Sequence, residues 1–229
     1  MVGFAELPIE ERIWLVIIAG TLLLLNYLVG WLRSRSRAHA NAEHIREAAN
    51  LLVTVTDAVI PTLRHLGIEV SRPSNLRPRA FQDVVKDVLF AFVLLFPDTE
   101  NIRVVVYRYS GAHGRRKRRL EVEDWRGRRK DQPEDFVDGD GGRGEAVFKW
   151  LEAGTLKFVP DTREEPDQDW KGSGRGYLTY ISAPIRADGT LYGMLTVDAP
   201  KPGDLDETDS PMVEMLAGIL AVAFAAQHR

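Results

Sequence analysis

Residues 176–200 read GYLTYISAPIRADGTLYGMLTVDAP. Two runs rich in β-branched and aromatic residues, Tyr177–Arg186 and Thr190–Asp198, are separated by Ala187-Asp188-Gly189. Each run is long enough for one strand, and Asp-Gly between them marks a tight hairpin. A hairpin here makes the sheet mostly antiparallel, so the flanking segments are read as its neighbours.

Upstream, Ile102–Tyr109 (IRVVVYRY) is a strand by composition, and Leu120–Trp125 (LEVEDW) alternates apolar with charged residues as its hairpin partner should. A helix over Glu145–Glu152 follows glycines 139, 141, 142 and 144 and stops at Gly154. A short strand, Leu156–Val159, and a long polar loop, Asp161–Arg175, come next. Downstream, Pro211–Gln227 reads as a closing helix with Ser210 as N-cap and Pro211 at its first position. Before the first strand, Arg79–Phe96 carries a wide apolar face (Phe81, Val84, Val85, Val88, Leu89, Phe92) and ends at Pro97. Gly67–Pro78, with two X-Pro steps, reads as a loop. Helices from both ends of the domain would cover one face of the sheet, an α+β arrangement.

Arg33–Leu66 reads as a further helix. Ile45, Ala48, Leu52, Val55, Val59 and Leu66 recur at spacings of three, four or seven. That pattern fits the seam of a signalling-type connector, and equally a first helix packed on the domain's own core. Pro61 predicts a kink or break near Ile60.

Ile13–Leu32 holds twenty consecutive residues without a charge, enough to cross the roughly 30 Å hydrocarbon core of a bilayer as a helix. Trp14 and Trp31 lie near its ends, where interfacial aromatics belong. A secretory signal would have basic residues before a shorter apolar stretch and a small-residue cleavage site after it. Here Glu6, Glu10 and Glu11 precede the run and Arg33, Arg35 and Arg37 follow it. The basic side stays in the cytoplasm. The expected organisation is a short extracytoplasmic tail (1–12), a transmembrane helix (13–32), a helical connector (33–67) and a cytoplasmic domain (68–229), single-pass in the cell or inner membrane with the N-terminus out.

The chain has no cysteine, which removes disulfides, thiolate nucleophiles and cysteine-ligated zinc. Its five histidines, at 39, 44, 65, 113 and 228, have no metal spacing. Asp138-Gly-Asp140 lacks the third ligand and closing Glu of a hand-type calcium loop. No Ser-His-Asp or paired-carboxylate arrangement is visible, so no catalytic residue is assigned. A net charge of −3 makes DNA no obvious partner.

The stretch GRGEAVFKWLEAGTLKFVPDTREEPD (142–167) resembles the segment of a GAF domain in which a glycine-led helix precedes a short strand ending in Asp, here Asp161, and a loop with a Pro-Asp pair, here Pro166-Asp167. Residues 176–200 resemble the most regular block of that family, with Ala183, Pro184, Gly189 and Gly193 in matching places. LDETDSPMVEMLAGILAVAFA (205–225) is similar to its closing helix. The resemblance covers roughly 70–227, and PAS domains share a similar architecture. It implies a sensory module that binds a small molecule on one face of its sheet, often as a dimer. The Asn-Lys…Phe-Asp-Glu signature of the cyclic-nucleotide branch is missing. Without cysteine there is neither a bilin attachment site nor the redox centre of the methionine-sulfoxide reductase branch. The ligand is thus unknown, with no covalent chromophore and no metal expected.

A mixed aromatic and polar cavity is expected from Tyr107, Tyr109, Phe148, Phe158, Asp161, Trp170, Thr179 and Ile181, with the loop 161–175 as its lid. The purely structural reading makes the apolar members core. A second candidate surface is the basic hairpin Arg115, Arg116, Lys117, Arg118 and Arg119 with Arg128, Arg129 and Lys130, which would touch anionic lipid at about 1 kcal/mol per base; acidic residues 131–145 offset it. The functional expectation is a non-enzymatic, membrane-anchored sensor, homodimeric, signalling through helix repacking or a separately encoded output protein. A ligand-free docking adaptor and a ligand-triggered membrane-perturbing effector are the alternatives.

Overall fold

The computed structural model describes residues 43–97, 99–111, 117–128, 132–139, 143–164 and 176–227. The expected span 13–32, and with it Trp170, Arg115, Arg116, Arg129 and Lys130, lie outside the described residues. The elements run α1 (Glu43–Ser71), a 3-10 turn (Ser74–Leu76), α2 (Arg77–Leu95), β1 (Arg103–Ser110), β2 (Arg119–Gly127), β3 (Phe136–Val137), α3 (Arg143–Ala153), β4 (Lys157–Val159), β5 (Thr179–Ala187), β6 (Thr190–Ala199), a 3-10 turn (Glu207–Asp209) and α4 (Ser210–Gln227). The sheet has the order β3-β2-β1-β6-β5-β4, and every neighbouring pair is antiparallel. Both expected hairpins form. Asp188 and Gly189 turn the second with φ of 49° and 74°, the left-handed pair that a two-residue loop requires.

The central strands β1 and β6 are buried on both sides, and their register sorts the side chains. Val104, Val197 and Ile181 are cross-strand partners, as are Tyr107, Met194 and Pro184. Partners share a face, and neighbours along a strand alternate. One face therefore carries Val105, Tyr107 and Met194, which pack with Leu120 and Phe136 against Val147, Phe148 and Leu151 of α3. The opposite face carries Val104, Val106, Ile181, Ile185, Leu195 and Val197, all at most 2% exposed. There α4 packs on β5, β6 and α2: the Phe81 and Phe224 rings meet edge-on at 4.7 Å, and Tyr192 stacks on Phe224 at 6.2 Å. Among the described residues, Glu207–Gln227 is the one helix long and apolar enough to cross a membrane. Val213, Leu216, Leu220, Ala223 and Phe224 are fully buried, so it serves as the core helix of the domain.

Three local expectations need correction. Helix α1 runs through Pro61 to Ser71 without a break. Pro61 and Asp57 are both exposed, so the carbonyl released by the missing N–H faces water. The loop expected over 67–78 shrinks to a few residues around the first 3-10 turn, because Pro78 falls in the first turn of α2, where proline is tolerated. Ser210 is not the cap of α4. Asp206 accepts from the Thr208 amide and Asp209 reaches back to the Asp206 amide, a capping box on the preceding turn, while Ser210 Oγ is buried without a hydrogen-bond partner.

Gly193 lies where β6 passes β1 most closely: a Cβ there would stand 1.9 Å from the Tyr107 carbonyl oxygen. Gly193→Ala is expected to destabilise the domain by about 3 kcal/mol through forced separation of the central strands, read as a lowered urea midpoint in circular dichroism.

Candidate functional site

The α3 face turns polar at one end of the sheet. Arg103 and Asp198 are register partners on β1 and β6, so both project from that face. Arg103 Nε donates to Asp198 Oδ2 at 2.8 Å and Nη2 lies 2.7 Å from the same oxygen. Arg128, just past the end of β2, donates from Nη2 to Asp198 Oδ1 at 3.0 Å. None of the three side chains is more than 10% exposed. Burial pushes the Asp198 carboxyl up, and the two guanidiniums pull it back.

Aromatic and hydroxyl groups surround this cluster. Tyr180 is the register partner of Asp198 and shares its face. Tyr177 sets its ring edge-on to Tyr180 at 6.0 Å and lies under the Arg103 guanidinium at 5.7 Å. The next pair along the ladder, Ser182 and Thr196, joins its hydroxyls at 2.9 Å. Tyr107 follows, 4% exposed. Burial raises its phenol well above the ordinary range, opposed by the positive charge of Arg103 and then Arg143. Arg143, the first residue of α3, lies over the Phe136 ring at 4.3 Å, and that ring meets Tyr107 edge-on at 5.3 Å. Arg143 Nε and Trp150 Nε1 are buried donors with no acceptor. A face that presents buried guanidinium, phenol, indole and hydroxyl groups between aromatic rings suits a polar small molecule.

The expected cavity residues divide. Tyr107, Tyr109 and Phe148 come together on the α3 face, with Tyr109 and Phe148 edge-on at 6.2 Å. Thr179 and Ile181 point to the opposite face, where Ile181 is core and Thr179 Oγ1 donates to the Val159 carbonyl at 2.9 Å. Phe158, the partner of Ile181, goes with them. These three cannot line one cavity with Tyr107, because cross-strand register, not sequence spacing, fixes the shared face. Asp161 pairs locally with Arg163 at 2.6 Å; hydrogen bonds from the Arg163 side chain and backbone hold its carboxyl down to about 2.

The described part of the basic hairpin is engaged in the domain. Arg118 bonds Asp138 at 2.7 Å, pairs with Glu152 and covers the Phe148 ring at 5.0 Å. Lys117 donates to the Gly139 carbonyl at 3.1 Å, Arg119 pairs with Asp135 at 3.3 Å, and Arg128 belongs to the buried Asp198 cluster. Arg118, Arg119 and Arg128 thus pair with acidic side chains, and Lys117 is held by a backbone carbonyl. Arg103, Arg143, Tyr177 and Asp198 belong to the candidate site that the structure presents but not to the set expected from sequence. The available signal was a charge ending each of two otherwise apolar strand runs, Arg103 before VVVY and Asp198 after MLTV.

Residues 78–225 match the family model described as GAF domain. None of the curated proteins matches the sequence. Solved structures share the fold. The GAF domain of a phosphoenolpyruvate-protein phosphotransferase from Coxiella burnetii is 16% identical, with TM-score 0.54, covering 77% of this chain and 94% of that one. Free methionine-R-sulfoxide reductase from Neisseria meningitidis, in complex with its substrate, is 18% identical, with TM-score 0.51, covering 76% and 92%. A GAF sensor protein from Burkholderia vietnamiensis is 20% identical, with TM-score 0.50, covering 75% and 96%.

Asp198→Asn removes the carboxylate on which two buried guanidiniums converge, and is expected to cost about 3 kcal/mol of stability. Asp161→Asn, at the surface pair with Arg163, should leave the urea midpoint nearly unchanged.

Proposed function

The chain belongs to the GAF domain family, and on that premise we propose that it is a sensory protein that binds a small molecule on the α3 face of its sheet. The observation that carries this reading is the Arg103–Asp198–Arg128 cluster with Tyr107, Tyr177 and Arg143 around it. Burying such groups costs stability that an apolar packing would not, so their retention on one face favours a recognition role. The apolar run 13–32 supports anchoring in a membrane with the domain in the cytoplasm. Val53 and Ile60, one heptad apart on α1 and 58% and 48% exposed, support a homodimer formed along that helix. The bound state would pass through α1 and α4 to the membrane helix or to a separate output protein, which requires the ligand to favour one helix packing over another.

A catalytic role has little support. The reductase that shares this fold is under 25% identical, and this chain has no cysteine for thiol chemistry. The docking-adaptor reading rests on the close packing of Tyr107, Phe136 and Phe148, at most 6% exposed, which would leave little room for a ligand.

Native mass spectrometry of the 229-residue chain, released gently from the membranes of the producing cells, tests the proposal. A dimer carrying a reproducible small non-covalent mass, lost in Arg143→Ala, is expected. A bare mass, with no thermal shift across a panel of metabolites and nucleotides, would favour the adaptor.

A further inference from the structure

Helix α1 buries a narrow stripe that turns from apolar to polar along its length. Ala58, Val59, Thr62 and Glu69 are buried to 4% exposure or less. Thr62 Oγ1 satisfies itself on the Ala58 carbonyl at 3.1 Å. His65, between them on the same side, pairs with Asp87 of α2 at 2.5 Å. Glu69 differs from all of these: the residue is 0% exposed and neither carboxyl oxygen has a hydrogen-bond partner.

Glu69 sits at a corner where three helix ends meet. Arg77, in the first turn of α2, donates from Nε to the Arg72 carbonyl just past α1 at 3.1 Å and from Nη1 to the Ala226 carbonyl of α4 at 2.9 Å. Two of its N–H groups thus go to carbonyls at the ends of the other helices, and none donates to Glu69. Arg77 is the charged group that acts on Glu69 from α2. His65 and Asp87 form the neighbouring titratable pair. A neutral carboxylic acid can occupy such a site at modest cost, whereas an ionised one without a donor cannot.

We propose that this corner is a proton-operated latch: α1 stays docked on the domain while Glu69 is protonated, and its last turns loosen when Glu69 ionises. Burial raises the Glu69 pKa from its ordinary 4.5 to about 7, against the pull of Arg77. A raised pKa in the docked state means that docking is fully stabilised below the undocked value, weakens as pH rises between the two values, and levels off above the higher one. The window runs from about 4.5 up to about 7, so acidification from neutrality tightens the hold on α1. The latch does not depend on any ligand of the α3 face.

Amide hydrogen exchange over residues 62–72 of the 229-residue chain, corrected for the intrinsic pH dependence of exchange, tests it. Protection should fall on the order of a hundredfold from pH 5 to pH 8. Glu69→Gln, which keeps the shape and cannot ionise, should abolish the fall. Asp87→Asn, which removes the neighbouring pair, should leave it in place. Equal protection at both pH values, an undiminished fall in Glu69→Gln, or its disappearance in Asp87→Asn would each overturn the latch. Should Glu69→Gln not fold, the wild-type and Asp87→Asn profiles still decide between Glu69 and His65.

Discussion

Everything in this domain depends on the antiparallel β1–β6 pair being buried on both sides. A strand covered on both faces has no solvent side, so each residue must be claimed by one of two cores. Val104, Val106, Leu195 and Val197 go to the side closed by α2 and α4. Val105, Tyr107 and Met194 go to the side closed by α3. The backbones must also pass closely, and Gly193 against the Tyr107 carbonyl is where that requirement is tightest. A slip of one residue would exchange the two faces, carrying Arg103 and Asp198 into the helical core.

The two cores have different chemistry. The helical side is mostly hydrocarbon, built from Phe81, Phe92, Phe224 and aliphatic residues, with one half-buried ion pair at its margin, where Arg108 lies over the Phe81 and Phe224 rings at 5.2 and 5.0 Å and bonds Glu123 at 2.5 Å. The α3 side ends in ion pairs, phenols and hydroxyls. A single stabilising core would have no need for the second arrangement, whose desolvation penalty is several kcal/mol per ion. That asymmetry, more than any individual residue, is what the proposed recognition role of the α3 face rests on.

Much of the architecture was legible in the sequence, because the signals were local. Asp188-Gly189 announced its hairpin, and the apolar face of α2 announced burial at Phe81, Val84, Val85 and Val88. What escaped was non-local. Thr179 and Ile181 seemed eligible for the cavity by spacing alone, yet their face is set by pairing with Ala199 and Val197. Arg103 and Asp198 lie 95 residues apart and look like ordinary strand ends until register joins them. Strand β3, only Phe136 and Val137, is too short to show a period. Pro61 misled because the rule against proline in helices weakens where the released carbonyl can meet water.

The candidate site and the helical layer lie on opposite sides of the sheet: α3 with the Arg103–Asp198 cluster on one side, α2 and α4 on the other, with the end of α1 close to Arg77. If the proposed sensory role holds, the contact of α1 around Thr62, His65 and Glu69 is where two helix packings could differ. The most direct measurement is an experimental structure of the chain purified from its producing cells without added ligand. The account predicts electron density for a small molecule between the sheet and α3, within hydrogen-bond reach of Arg143 Nε or the Tyr107 hydroxyl. That face filled entirely by the chain's own side chains, in a form that binds no metabolite, would contradict it.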